Sequence, residues 1–209
     1  MTEASATLHE PFESKTRQRE TVIFGLWVFL ASELLLFGGM FMGFAAYRHA
    51  HQAAFVEAAH HTNLIFGTVN TVLLFTSSLC MSVGSRALEV RQSRLAELAV
   101  WTTIALGLAF LVTKGFEYHE DLEEHLWPGV QFALSDPATR IFWAFYWTMT
   151  VVHLCHLTVG LSLMGRLVWF ARRGELQANT DAMEASSLYW HLVDVIWIVV
   201  FTTLYLVCR

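Results

Sequence analysis

The sequence predicts an all-α integral membrane protein, a bundle of five transmembrane helices. Of its 209 residues, 55% are hydrophobic and 15% are charged, which is too apolar for an ordinary soluble domain of this length. A helix of roughly 20 apolar residues crosses about 30 Å of hydrocarbon. Five runs are long enough, and together they nearly exhaust the chain: residues 22–46, 64–84, 98–117, 141–165 and 188–207.

The first residues and the basic residues predict how the bundle is inserted. Residues 1–20 form a polar tail without an apolar core or a cleavage-like site, so we expect the first span to start a single transmembrane domain over residues 21–209. Basic residues are more numerous on one side of the spans, and the positive-inside rule therefore places the N-terminus in the cytoplasm. That side has Lys15, Arg17, Arg19, Arg86, Arg91, Arg94, Arg166, Arg172 and Arg173, and the other has Arg48, Lys114, Arg140 and Arg209.

A carboxyl group lies near the middle of the first span, at Glu33. A charged side chain at this depth costs on the order of 2.5 to 3.5 kcal/mol on insertion scales, so it needs a partner, a cavity or a proton. Desolvation favours the neutral acid, and we expect Glu33 to donate a hydrogen bond across the bundle. Two roles stay open: a structural hydrogen bond, or a part in proton handling or subunit coupling.

Small and polar side chains predict how the first two spans pack. The second span has a polar stripe that needs partners within the protein, because hydrocarbon offers no hydrogen bonds. In the first span, small residues recur at spacings of seven, seven and four and would let a neighbouring helix approach closely. The stripe contains Asn70, Thr71, Ser77 and Ser78, and the small residues are Gly25, Ser32, Gly39 and Gly43.

Histidines in the fourth and fifth spans are candidate haem or metal ligands. His153 and His156 are three residues apart and share a helix face, so they cannot clamp one haem between them. A haem held between His191 and either of them is conceivable, but the inferred topology opposes it, because His191 starts the fifth span at the cytoplasmic edge and the other two lie near mid-membrane. We therefore expect packing histidines, with His191 and Asp194 bonded to each other or to another partner. No disulfide, zinc or covalent haem pattern surrounds Cys80, Cys155 and Cys208.

Five acidic residues crowd into the connection between the third and fourth spans. We expect either a solvated loop, or a rim that docks a basic partner or shapes a proton exit. The five are Glu117, Glu120, Asp121, Glu123 and Glu124.

Five segments form a distinctive ordered set, FGLWVFLASELLLFGGMF, NTVLLFTSS, KGFEYHE, HLCHLTVGL and YWHLVDVIWIVVFTTLY. Together they resemble subunit III of the haem–copper respiratory oxidases. The resemblance runs in order through residues 22–207, and the five spans are similar to the short bacterial form, which lacks the first two helices of the seven-span form.

The resemblance implies a function at the level of a complex. Members of this family bind no haem or copper, pack beside the catalytic subunit I in a complex that includes subunit II, hold phospholipid, and support proton uptake and resistance to inactivation. This chain would then be an accessory subunit of a proton-pumping cytochrome c or quinol oxidase in the bacterial inner membrane. Haem and copper would be in subunit I, and bound phospholipid would be the ligand of this chain.

The resemblance also implies residue roles. Ser32 and Glu33 match the family's buried carboxylate position, and His153 and His156 match its HxxHVxxG motif, with Thr158 in place of the usual valine. Lipid headgroup contacts are expected from Arg86 and His191. The other family-motif residues are Asn70, Glu117, Tyr118 and His119, and His191, Asp194 and Trp197 of WHxxDxxW.

Two other functions stay open at this point. A subunit III-like accessory protein of nitric oxide reductase would share the five-span pattern, although its SerGlu position is often altered, so Glu33 favours the oxidase. An independent haem b membrane protein, or a small transporter with a proton path, would instead use His153, His156 and Glu33 without a partner.

Overall fold

The protein is described by a computed structural model that covers residues 15–130 and 132–207. Its regular structure is helical throughout this part of the chain, and the prediction of five helices long and apolar enough to span a membrane is confirmed. In chain order the helices are α1 (Lys15–Ala50), the short α2 (Gln52–His60), α3 (Leu64–Glu89), α4 (Ser93–Glu123), α5 (Pro137–Arg172) and α6 (Thr180–Phe201). The sequence analysis did not predict α2.

The helices extend beyond the predicted spans. α6 begins at Thr180, eight residues before the predicted fifth span, so His191 lies eleven residues inside the helix, about 16 Å along its axis. A π-helical turn, Thr202–Leu206, continues α6, and the Val207 N–H donates to the Thr202 carbonyl at 2.9 Å. We call the end with α2, the α4–α5 connection and this turn the acidic end, and the opposite end the basic end.

Side-chain caps fix two helix starts at the acidic end. The Asn63 side chain accepts hydrogen bonds from the backbone N–H groups of Ile65 and Phe66 at 3.1 and 3.5 Å. Asp136 accepts from the Ala138 N–H at 2.8 Å, and Pro137 follows it at the first helical position. Both residues satisfy backbone donors that a helix cannot satisfy itself.

α6 lies at the centre of the bundle and α1 lies at its edge. α6 packs against α3, α5 and α1, whereas α1 packs against α5 and α6 and briefly against α2. Half of the most apolar stretch of α6 is buried, compared with 17% of that of α1. Large aromatic side chains from α5 and α6 fill the core, among them Trp143, Tyr146, Trp190 and Trp197.

The small residues of α1 do not form the close contact that the sequence predicted. A Cβ added at Gly25 or Gly39 would have no neighbouring atom within 4 Å, and one added at Gly43 would face the Phe145 ring at 3.4 Å. Aromatic side chains attach the helix instead: Phe44 packs against Phe55 and Phe142 with ring centroids 5.2 and 5.9 Å apart. Close packing through a glycine occurs at α5, where the Trp190 ring covers Gly160.

Gly160→Ala tests this contact, because the added Cβ would lie 2.9 Å from Trp190 Cε3. We expect overpacking to cost about 1–3 kcal/mol. Gly165→Ala on the same helix is the matched control, since its Cβ would have no neighbouring atom within 4 Å. Its helix propensity should leave stability unchanged or raise it by up to about 1 kcal/mol. Thermal unfolding in detergent measures both, and equal midpoints would contradict the packing argument.

Candidate functional site

An acid–imidazole pair joins α1 to α5 within the membrane span. Glu33 Oε2 lies 2.6 Å from His156 Nε2, and the two side chains are 13% and 16% exposed. The Tyr189 hydroxyl donates to the His156 carbonyl at 3.0 Å, and the Phe37 ring meets the His156 ring edge-on, with 5.5 Å between ring centroids. Glu33 therefore has the partner across the bundle that its depth requires.

The second nitrogen of His156 determines what this pair can do. Nδ1 lies 2.8 Å from the Val152 carbonyl oxygen, which can only accept, so Nδ1 carries a hydrogen. Nε2 then meets Glu33 either as a lone pair facing a protonated acid or as an N–H facing a carboxylate. In both states one proton lies between the two groups, and the pair can hold it without moving a helix.

Ser32 and His153 do not join this pair. The Ser32 hydroxyl is exposed and donates to the Phe29 carbonyl of its own helix at 2.7 Å. His153 is fully buried, and its ring lies 5.8 Å from that of Phe110 and 5.1 Å from that of Trp197, centroid to centroid. Neither of its ring nitrogens has a hydrogen-bond partner among the described residues. His153 and His156 therefore lie in different surroundings, although their spacing places them on one helix face.

A second polar site lies between α3 and α6, around His191. Its Nδ1 lies 2.7 Å from Ser78 Oγ, and its Nε2 lies 3.3 Å from Ser82 Oγ and 3.2 Å from Ser187 Oγ. The hydrogen-bond partners of the imidazole are these three hydroxyls. Asp194 had been the first partner expected. Asp194 lies beside Ser78 instead, in the wall of a cavity of about 280 Å³. The Trp197 Nε1–H closes another part of this wall by donating to Thr71 Oγ1 at 3.1 Å.

A third site, near the acidic end, contains a completely buried lysine. Lys114 Nζ lies 3.0 Å from Glu117 Oε2, and both side chains are 1% exposed. The ammonium also donates to the hydroxyls of Tyr146 and Tyr205, at 3.0 and 2.7 Å. Tyr146 Oη lies 2.8 Å from Glu117 Oε1 and from Asp121 Oδ2, and Tyr205 donates to Glu117 Oε1. We call these five residues the Lys114 cluster; they join α4, α5 and the π-helical turn.

The acidic run is therefore not the solvated loop that was expected. α4 continues to Glu123, and Glu117 and Asp121 point into the bundle with 0% and 4% exposure. His119, by contrast, is 71% exposed and lies 3.3 Å from Glu123. The Tyr118 hydroxyl donates to Thr150 Oγ1 at 2.8 Å beside the cluster. One helix face carries the buried groups and the other faces outward.

Sequence reasoning missed Lys114, Tyr146 and Tyr205, and it treated Asp121 only as part of a surface run. A signal was present: Lys114, Glu117 and Asp121 follow one another at spacings of three and four, which places them on one face of a helix. Elsewhere, Asn70 is buried and accepts a hydrogen bond from Thr113. Within residues 15–130 and 132–207, no group of three or more His, Cys, Asp or Glu side chains could hold a metal ion.

Lys114→Met tests the buried ion pair, because it leaves Glu117 without its cation. Breaking one side of such a pair is expected to cost about 3–5 kcal/mol. Arg86→Met is the control, since Arg86 and Glu89 have the same sequence spacing and a 2.9 Å contact but side chains 82% and 59% exposed. Its expected cost is about 0–1 kcal/mol. Thermal unfolding in detergent compares them, and a similar small loss in both would contradict the assignment.

Comparison with known proteins places this chain in a family. Residues 9–208 match the family model described as cytochrome c oxidase subunit III. The chain is 33% identical over 189 residues to cytochrome c oxidase subunit 3 of Thermostichus vulcanus, covering 90% of this chain and 88% of that protein. It is 30% identical over 200 residues to quinol oxidase subunit 3 of Bacillus subtilis, covering 94% and 92%.

Cytochrome c oxidase subunit 3 of Synechocystis sp. is also similar, with 33% identity over 188 residues, 88% of this chain and 75% of that protein. The matches extend across all five membrane-spanning helices and therefore include the three polar sites. This multi-pass membrane protein belongs to the cytochrome c oxidase subunit III family, and its function is that of an accessory subunit of a haem–copper oxidase.

Proposed function

We propose that this chain packs beside the catalytic subunit I of a proton-pumping oxidase in the bacterial cytoplasmic membrane, in a complex that also contains subunit II. The observation that carries the proposal is the family match over residues 9–208. The chain would stabilise subunit I, hold phospholipid and support proton uptake, while the haem and copper belong to subunit I. The excess of basic residues at the basic end favours an N-terminus in the cytoplasm.

The exposed side of α1 supports a role in assembly. Leu34, Leu35 and Met42 on this helix are 66%, 79% and 77% exposed. In a membrane this apolar surface suits acyl chains or the helices of a neighbouring subunit. The Glu33–His156 pair lies on the inner side of the same helix, so it would keep α1 in place while the outer side makes these contacts.

Phospholipid contacts are proposed from the helix ends. The Arg86 side chain is exposed near the end of α3 at the basic end, where a phosphate group could meet it. His191 was expected in the same role. Its place about 16 Å along α6, enclosed by serine hydroxyls, suits the wall of the cavity between α3 and α6 better than a headgroup contact.

Co-purification tests the proposed partnership. A tagged chain extracted in mild detergent should bring down a large haem-containing subunit, and the optical spectrum and metal content should show two haems and copper. Copper-free material with nonhaem iron would instead indicate the nitric oxide reductase assembly. A haem spectrum from the chain by itself would contradict the accessory role.

Glu33→Ala tests the link between α1 and α5, because it removes the carboxyl group that contacts His156 Nε2, at an expected cost of about 1–3 kcal/mol. We expect faster loss of the chain from the purified oxidase and faster inactivation during turnover. Glu33→Gln should retain most of the function, since its amide can donate to His156 Nε2. Ser32→Ala is the neighbouring control. Wild-type retention and turnover in Glu33→Ala would show that the pair is dispensable.

A further inference from the structure

The charges of the Lys114 cluster do not balance if every group is ionised. Lys114, Glu117 and Asp121 are 0%, 0% and 4% exposed, so one ammonium would face two carboxylates away from water. An uncompensated buried charge is strongly unfavourable. A proton retained by one of the two acids would remove the imbalance.

The hydrogen bonds of Tyr146 also require an additional donor. Its oxygen lies 2.8 Å from both Glu117 Oε1 and Asp121 Oδ2, but a phenol has a single hydrogen and can donate fully to one of them. The other acid must then donate to the Tyr146 oxygen, or one of the two short contacts joins two acceptors. The second arrangement is unfavourable between buried groups.

The surroundings of the two acids decide which one carries the proton. Glu117 Oε2 is in ion-pair contact with Lys114 at 3.0 Å, and Glu117 Oε1 receives the Tyr205 hydroxyl, so this acid is stabilised as a carboxylate. Asp121 reaches the cluster through Tyr146. The other titratable groups nearby are Tyr118 on α4, Glu124 directly after α4 and His153 on α5.

We propose that the Lys114 cluster is a binding site for one proton, held between Asp121 and Tyr146, while Lys114 and Glu117 remain an ion pair. Asp121 then donates to Tyr146 Oη, and Tyr146 donates to Glu117 Oε1. Tyr205 donates to the same carboxylate, and Lys114 donates to both phenols. Every donor has an acceptor, and the cluster carries no net charge.

The site can exchange this proton with the acidic end of the bundle. Asp121 is its most exposed acid, at 4%, and it lies on α4 between the exposed residues Glu120 and Glu124, one turn from Glu117 and about two turns from Lys114. Release of the proton would leave two buried carboxylates facing one ammonium and sharing the single Tyr146 hydrogen. The proton is thus both ligand and structural element of this end, independently of which oxidase subunit the chain contacts.

Infrared difference spectroscopy of the purified oxidase in H2O and D2O tests the proposal. A protonated carboxylic acid has a C=O stretching band that shifts on deuterium exchange. We expect Asp121→Asn to abolish one such band, and Glu123→Gln, an exposed acid on the same helix, to leave it. Spectra in which Asp121→Asn removes no band, or in which Glu123→Gln removes the same band, would overturn the assignment.

Stability of the assembled oxidase provides a second readout. Asp121→Asn should unfold close to the wild-type midpoint, because its amide N–H replaces the acid O–H as donor to Tyr146. Glu117→Gln should lower the midpoint, since Lys114 then loses its counterion. Equal losses in the two variants, or a larger loss in Asp121→Asn, would mean that Asp121 is ionised and the proposal is wrong.

Discussion

The bundle depends on one constraint: polar side chains within the membrane must find their partners inside the protein, because hydrocarbon offers none. The Lys114–Glu117 ion pair meets this demand most completely, with two tyrosines completing its hydrogen bonds. The Glu33–His156 pair meets it at the edge of the bundle, and the serines around His191 meet it between α3 and α6. These polar contacts determine which helix faces pack together. Apolar packing alone would determine the pairing of faces less specifically.

The sequence predicted the fold well, because hydrophobic length is a strong signal in membranes. It also identified Glu33 as a residue that needs a partner, since an acid at mid-span is costly. It did not identify His156 as that partner or Lys114 as a buried group. The partner of Glu33 and the burial of Lys114 both depend on which faces the packed helices turn toward one another. Charged residues lower the hydropathy near the helix ends, so the predicted spans were shorter than α4 and α6, and Asp121 was placed in a connection.

The division between a central α6 and a peripheral α1 gives the polar sites different environments. All hydrogen bonds of the Lys114 cluster are made to residues of α4, α5 and the π-helical turn, so this chain alone sets the geometry of the cluster. The Glu33–His156 pair is partly exposed and lies where α1 meets the rest of the bundle. A displacement of α1 by a neighbouring subunit or lipid would therefore change the Glu33–His156 contact before it changed the core packing.

The π-helical turn at Thr202–Leu206 makes the position of Tyr205 depend on the local backbone geometry. Its wider i to i+5 bonding accommodates one residue more than an α-helical turn and orients the Tyr205 hydroxyl toward Lys114 and Glu117. In a regular α-helical turn each of these residues would instead advance by about 100° around the helix axis, and the phenol would turn away from the ion pair. Side-chain chemistry could be conserved throughout, and the ion pair would still lose a ligand through register alone.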